Sequence, residues 1–162
     1  MNGRNLRAFL DMLASSEGTA GLGDDGYNVL VGSRSSMPIL FGSYRDHPRV
    51  RIQLRADDRS TPQNEELTST AAGRYQVLAR YFDAYRRQLN LADFGPASQD
   101  AIAVQLIREC GALQDIEAGR FDSAVTKCRS RWASLPGAGY GQHENSLAAL
   151  RAAYTKAGGM FA

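Results

Sequence analysis

One acidic side chain stands where a proton could be traded. Glu17 follows a stretch in which Leu6, Phe9, Leu10 and Leu13 recur at i, i+3, i+4 and i+7, the apolar stripe of a short helix laid on a core. Gly18 comes next, and a glycine there stops a helix by taking the left-handed cap conformation. Thr19 to Gly26 is small, polar and Gly-rich and reads as an open turn. Glu17 is therefore expected at the negative end of a helix, facing a loop. The helix dipole disfavours a carboxylate there by a few tenths to about 1 kcal/mol and raises its pKa, and apolar neighbours raise it further. At a pKa near ~4.3 only ~0.2% of such groups hold a proton at pH 7, whereas at ~6 about 10% do. Glu17 is thus a candidate general acid at neutral pH. The plainer alternative is a solvated surface glutamate that precedes a glycine cap.

Other reactive types carry less. His47 lies in Tyr44-Arg45-Asp46-His47-Pro48-Arg49, before a proline in a turn, and reads as a structural or surface histidine rather than a base. Cys110 and Cys128 have neither CxxC spacing nor histidine companions, so two thiols are expected rather than a disulfide, and no metal or cofactor is called for. The net charge of +2 speaks against a general nucleic-acid binder. The basic residues are almost all arginine, Lys127 and Lys156 being the exceptions, and arginine's planar fork suits carboxylates and other flat anions. Arg7 and Asp11 interrupt the first apolar stretch, so neither a signal peptide nor a stable membrane insertion is expected.

The elements that must position Glu17 follow from periodicity. A chain of 162 residues is expected to form one domain, residues 1–162. Tyr27–Gly32 reads as a strand, Ile39–Phe41 as a second short strand, and Val50–Leu54, with period two, as a third. Asp57–Thr68 is polar, contains Pro62 and reads as a surface loop. A helical pattern runs from Ser69-Thr70 to about Asn90, with Leu78, Phe82, Tyr85 and Leu89 as its stripe and Arg80, Arg86 and Arg87 on its wet side. Pro96 opens another helix with Ile102, Ala103, Leu106 and Ile107 inward, ended by Gly111. Short helices are expected at Leu113–Ala118 and Asp122–Arg129, and a last one from about Glu144 to Ala157. Helix, small antiparallel sheet, then a run of helices is an α+β order, with a cleft expected between a sheet lobe and a larger helical lobe.

That order and six sequence blocks carry a resemblance. "RAFLDMLASSEGT", "GYNVLVG", "YRDHPR", "AAGRYQVLARYFDAYRRQL", "SQDAIAVQLIRECGAL" and "WASLPGAGYGQ" are similar, in register over about residues 6 to 159, to the phage lambda-type endolysins of the lysozyme superfamily. The resemblance implies a lysozyme-like fold and a lytic transglycosylase that cleaves peptidoglycan without a cofactor. Glu17 matches the family's catalytic acid. Tyr75 and Gln76 in "GRYQ", Tyr140 and Gln142 in "GAGYGQ", and Tyr27 fall in segments that would line a sugar cleft, where aromatic faces and planar amides bind sugars. Two departures stand out: the stretch Asp57–Thr68 is longer than the family's, and Ser15 replaces an aromatic residue two places before the acid.

The resemblance also implies a route. Glu17 would protonate the bond between N-acetylmuramic acid and N-acetylglucosamine, and the muramoyl 6-hydroxyl would close a 1,6-anhydro ring. Alternatives are a hydrolase using Asp24 or Asp25 as a second carboxylate, and a non-catalytic wall-binding module. A monomer is expected, held in the host cytoplasm until a phage-encoded holin admits it to the periplasmic wall.

Overall fold

The computed structural model describes residues 3–55, 67–141 and 143–162. Its order is α1 (Gly3–Ser16), β1 (Ile52–Arg55), β2 (Leu67–Ser69), α2 (Ala79–Leu89), α3 (Pro96–Glu109), α4 (Leu113–Glu117), α5 (Phe121–Cys128) and α6 (Leu147–Lys156). The α+β expectation holds. Contacts divide the chain into two units, one of residues 1–20 and 100–162 and one of residues 21–99.

In the first unit α1 packs on α6 and α4, and α4 on α5. The face α1 buries is rotated from the one expected: Ala8, Phe9, Met12, Leu13 and Ala14 are buried with two polar residues, Asn5 and Ser16, while Leu6 and Leu10 are only half-buried. Polar residues can enter such a stripe where their hydrogen bonds are satisfied. Asn5 meets that condition by donating from Nδ2 to the Ile116 carbonyl at 3.1 Å and accepting from the Met160 N–H at 3.0 Å. Phe9, Phe121, Tyr154 and Phe161 form an aromatic cluster with centroid spacings of 4.7 to 6.0 Å. The last helix starts three residues later than expected. Ser146 caps it by accepting from the Ala149 N–H, and Glu144 instead accepts from the N–H groups of Gly137 and Gly139.

The second unit is built on His47, Phe82 and Phe94, whose rings lie 4.7 to 5.9 Å apart. Here the secondary structure departs from expectation in three places. Tyr27–Gly32 and Ile39–Phe41 do not form extended strands; they meet through the bridge Val29–Leu40 and two flanking backbone bonds, Leu30 N–H to Ile39 C=O and Phe41 N–H to Asn28 C=O. Gly26 and Gly32, at φ +89° and +82°, turn the backbone on either side and keep the pairing short. The helix expected from Ser69-Thr70 begins only at Ala79. Residues 72–77 instead fold back on themselves, Ala72 and Val77 exchanging both backbone hydrogen bonds around a turn with Gly73 at φ +80° and Gln76 at φ +52°. A side chain on Gly73 would strike Gln99 Oε1 at 2.2 Å, so the turn needs glycine twice over. The third strand is present as β1, paired antiparallel with β2. Of the expected loop Asp57–Thr68, residues 57–66 lie outside the described residues, and its last two, Leu67 and Thr68, belong instead to β2, where they pair with β1.

Candidate active site

The end of α1 is built as the sequence implies. Glu17 N–H still donates to the Leu13 carbonyl at 2.8 Å, Gly18 takes φ +73°, and the N–H groups of Thr19 and Ala20 turn back to the Ala14 carbonyl. Glu17 is thus fixed in backbone by the last helical turn, and its side chain is half-buried. Ser134 Oγ donates to Glu17 Oε1 at 2.6 Å. Burial raises the carboxyl from 4.5 to about 7, with the Ser134 hydroxyl opposing the rise. Desolvation, rather than the helix dipole, is the main cause. Ser15 is exposed, so this burial does not depend on an aromatic at that position.

Around Glu17 lies a polar group that sequence reasoning missed. Ser16 Oγ is 2.8 Å from Ser134 Oγ, and Asn145 Nδ2 reaches the Ser16 carbonyl at 3.0 Å and Ser16 Oγ at 3.1 Å. Ser134 is 117 positions from Glu17, and no spacing rule connects them. The sole hint was that Ser134 falls within the block "WASLPGAGYGQ".

The second unit gathers three of the expected sugar-binding residues. Tyr27 and Tyr75 meet edge to face at 6.4 Å, and the Arg74 guanidinium sits 5.2 Å from the centre of the Tyr27 ring. Tyr75 is buried, whereas Tyr27 is partly open. Gln76 follows in the tight turn, its amide donating to the Gly73 carbonyl at 2.9 Å. In the first unit Tyr140 is 56% exposed, with its hydroxyl on the Ser130 carbonyl at 2.8 Å. Gln142 lies outside the described residues.

Both aspartates weighed as a second carboxylate are engaged. Asp24 Oδ2 accepts from the Tyr44 hydroxyl at 2.7 Å. Asp25 pairs with the buried Arg74 at 2.7 Å and accepts from the Gly21 N–H at 3.0 Å. The stretch read as an open turn is therefore tied down, with Asp24 N–H also donating to Asn28 Oδ1 at 2.8 Å. His47 is structural: Nε2–H donates to the Val77 carbonyl at 2.8 Å and Nδ1 accepts from the Arg49 N–H at 3.0 Å, leaving neither nitrogen for chemistry. Cys110 and Cys128 are free thiols, as expected.

A short antiparallel pair and a run of helices, with a proton-retaining glutamate closing the first helix, define a lysozyme-like α+β protein. The chain belongs to the Endolysin family, whose profile matches residues 7–161. It is 49% identical over 157 residues to the endolysin of Escherichia phage lambda, covering 94% of this chain and 90% of that one. It is 47% identical over 165 residues to the endolysin of Escherichia phage P2, covering 97% and 94%. Bacteriophage lambda lysozyme complexed with a chitohexasaccharide superposes with a TM-score of 0.86 at 47% identity, over 100% of this chain and 98% of that one. A second structure, lysozyme from bacteriophage lambda, gives a TM-score of 0.81 at 46% identity, with the same coverage. The chain is accordingly a cell-wall-lytic enzyme of the phage endolysin class. Among the described residues no helix is long and apolar enough to cross a membrane.

Proposed function

We propose that the chain cleaves the β-1,4 bond between N-acetylmuramic acid and N-acetylglucosamine by intramolecular transglycosylation, with Glu17 as its acid and base. The observation that carries this is the Glu17 carboxyl itself, raised to about 7 by burial and so still protonated in a large fraction of molecules at neutral pH. Glu17 gives its proton to the glycosidic oxygen as that bond to the anomeric carbon breaks. The resulting carboxylate takes the proton of the muramoyl 6-hydroxyl, whose oxygen bonds to the same anomeric carbon. The product is a 1,6-anhydro sugar, no water is consumed, and Glu17 ends protonated as it began. The nucleophile is tethered to the sugar it attacks, an orientation that can supply several kcal/mol.

The resemblance to the transglycosylase branch supports this route, which asks nothing of Asp24 or Asp25, whereas hydrolysis would need one of them as a second carboxylate. Tyr27, Gln76, Tyr140 and Gln142 are assigned to the sugar chain, with Tyr75 packing behind Tyr27. The similarity to bacteriophage lambda lysozyme complexed with a chitohexasaccharide supports a glycan as the ligand. Acting as a monomer in a single 1–162 domain, the enzyme would wait in the host cytoplasm for a holin to open the way to the periplasmic wall.

Mass analysis of products from purified sacculi tests the reading. Transglycosylation gives anhydro-muramoyl ends lighter by one water than hydrolysis products. Free reducing ends would replace this route with hydrolysis. Glu17→Gln retaining more than a few per cent of the clearing rate, as about 10²-fold or more is expected to be lost, would remove Glu17 as the acid. Binding to sacculi with no loss of turbidity would indicate a wall-binding module instead.

A further inference from the structure

Once Glu17 is ionised, the line of polar atoms beyond it has one self-consistent sense. Asn145 approaches the Ser16 backbone carbonyl at 3.0 Å, and a carbonyl can only accept, so it is the amide nitrogen of Asn145 that faces Ser16. The same nitrogen lies 3.1 Å from Ser16 Oγ, which must therefore accept there. At the other end Ser134 Oγ lies 2.6 Å from Oε1 of a group that, once ionised, can only accept, so the single hydroxyl hydrogen of Ser134 is spent on Glu17. The Ser16–Ser134 bond of 2.8 Å can then run only from Ser16 to Ser134. The order is Asn145 to Ser16 to Ser134 to Glu17 Oε1.

We propose that Asn145, Ser16 and Ser134 form a hydrogen-bond chain that donates into Oε1 of the ionised Glu17 and fixes the plane in which the carboxyl meets the glycan. When Glu17 is protonated the Ser134 bond can reverse, since a serine oxygen has two lone pairs and Ser16 can accept from both Asn145 and Ser134; the fixed sense belongs to the ionised carboxylate. Ser134 is thus a positioning residue, acting through Glu17 and not on the substrate. This rests on Glu17 being the acid, as proposed above.

The chain is held rigidly enough for the task. Ser16 is the last residue of α1 and is buried. Ser134 sits between buried Trp132 and Leu135, in a turn closed by the Leu135 N–H on the Trp132 carbonyl. Asn145 N–H donates to the Ser134 carbonyl at 2.8 Å, so backbone as well as side chain joins the two. Supporting bonds of this kind lock a reactive group close to its working geometry.

The perturbation on Glu17 is correspondingly simple. Burial raises its pKa and the Ser134 hydroxyl lowers it. No charge on α1 (Arg4, Arg7, Asp11), α4 (Asp115, Glu117), α6 (Arg151, Lys156) or the preceding segment (His143, Glu144) contributes. Several of these are committed elsewhere: Asp115 to Arg120 and Lys127, Arg151 to Asp122, and Glu144 to two backbone N–H groups. Loss of the Ser134 hydroxyl therefore moves the Glu17 titration upward, with no charge nearby to compensate.

The test compares the full-length chain with Ser134→Ala, Ser134→Thr and Ser16→Ala. Two quantities are read: kcat and KM for sacculus clearing against pH, and the Glu17 carboxyl titration by carbon-13 NMR without substrate. Ser134→Ala is expected to lose about tenfold in kcat at unchanged KM, part of the range a positioned acid supplies. Its Glu17 midpoint and alkaline limb should rise by about one pH unit, the size of a hydrogen bond to a charged group. Ser134→Thr, which keeps the hydroxyl, should restore both, and Ser16→Ala should shift the midpoint the same way by less. Should Ser134→Ala fold poorly, the Ser16→Ala titration carries the decision. A wild-type midpoint and kcat in Ser134→Ala, or a lowered melting temperature as its sole change, would overturn the proposal. If Glu17→Gln stays active, the acid assignment itself has failed; if it is inactive while Ser134→Ala matches wild type, only the chain has.

Discussion

Replacing Glu17 by glutamine should make the protein inactive and, above neutral pH, more stable. The carboxyl rises from 4.5 to about 7 on folding, so the folded chain holds this proton more tightly than the unfolded chain does. The stability this lends is complete below the unfolded value and is lost as pH climbs through the folded one. At 1.36 kcal/mol per unit, a shift from 4.5 to about 7 is worth ~3.4 kcal/mol. Because Glu17 is half-buried and keeps some contact with solvent, about 2–3 kcal/mol is the working figure. Glutamine has the same shape, stays neutral, and can still accept from Ser134 through its carbonyl oxygen. Urea unfolding of both proteins at several pH values between about 4 and 9 reads the difference directly, because every other titrating group cancels between them. The two should coincide at the acid end and diverge to about 2–3 kcal/mol at the alkaline end, or about 4–12 °C in melting temperature. A gap that is constant across pH, or absent at the alkaline end, would refute the raised pKa and the general-acid argument that depends on it.

Four further outcomes follow from particular contacts. Asp24→Asn should keep most of the clearing rate, and Asp25→Asn should lower stability by about 1–3 kcal/mol through its lost pairing with buried Arg74; anhydro products should persist in both by mass analysis. Gln99→Leu should cost about 2–4 kcal/mol by urea unfolding, since Gln99 is fully buried, accepts from the Arg74 N–H and donates to the Tyr27 and Phe94 carbonyls. Burial holds the His47 imidazole below its ordinary pKa, so its contribution is present above that ordinary value and lost as pH falls through the acid range; His47→Phe should flatten this slope while kcat per folded molecule stays unchanged. Asn5→Ala should lower stability by about 1–3 kcal/mol through its two lost backbone partners, yet leave the alkaline midpoint of activity where it is.

The residue that closes α1 was readable because its signals are local: an apolar repeat, then a carboxylate, then a glycine that in the structure takes φ +73°. The same kind of signal, a glycine just past a helical pattern, placed the end of α3 near Gly111. Reading failed where a distant partner decides the local form. Ala71 to Leu78 carries good helix formers, but the Ala71 carbonyl accepts from Val31 and Gly73 N–H donates to Val29, and these backbone bonds hold the segment in a turn. Leu6 and Leu10 look like core from periodicity alone, and the true face is set instead by what Asn5 and Ser16 can bond. Glu17 could be singled out because acidity and a helix end lie side by side in sequence. Ser134 and Asn145 could not, because their part exists only after the chain has closed on itself.

A carboxyl that must hold its proton near neutrality has to be kept partly from water, and that destabilises the ionised form through which the proposed turnover would take Glu17. The fold meets this by placing the group at the terminus of a helix secured at both ends. Asn5 ties the first turn of α1 to the Ile116 carbonyl and the Met160 N–H, and Ser16 ties the last turn to Asn145 and Ser134. Neither bond set could be exchanged for leucine without losing a buried partner, which is why polar residues occupy both ends of an otherwise apolar stripe. The two ends differ in what they reach. At the first turn the bonds stop at backbone, and their effect is stability. At the last turn they continue, hydroxyl to hydroxyl, into the carboxyl proposed as the acid, where the same kind of bond would bear on the chemistry.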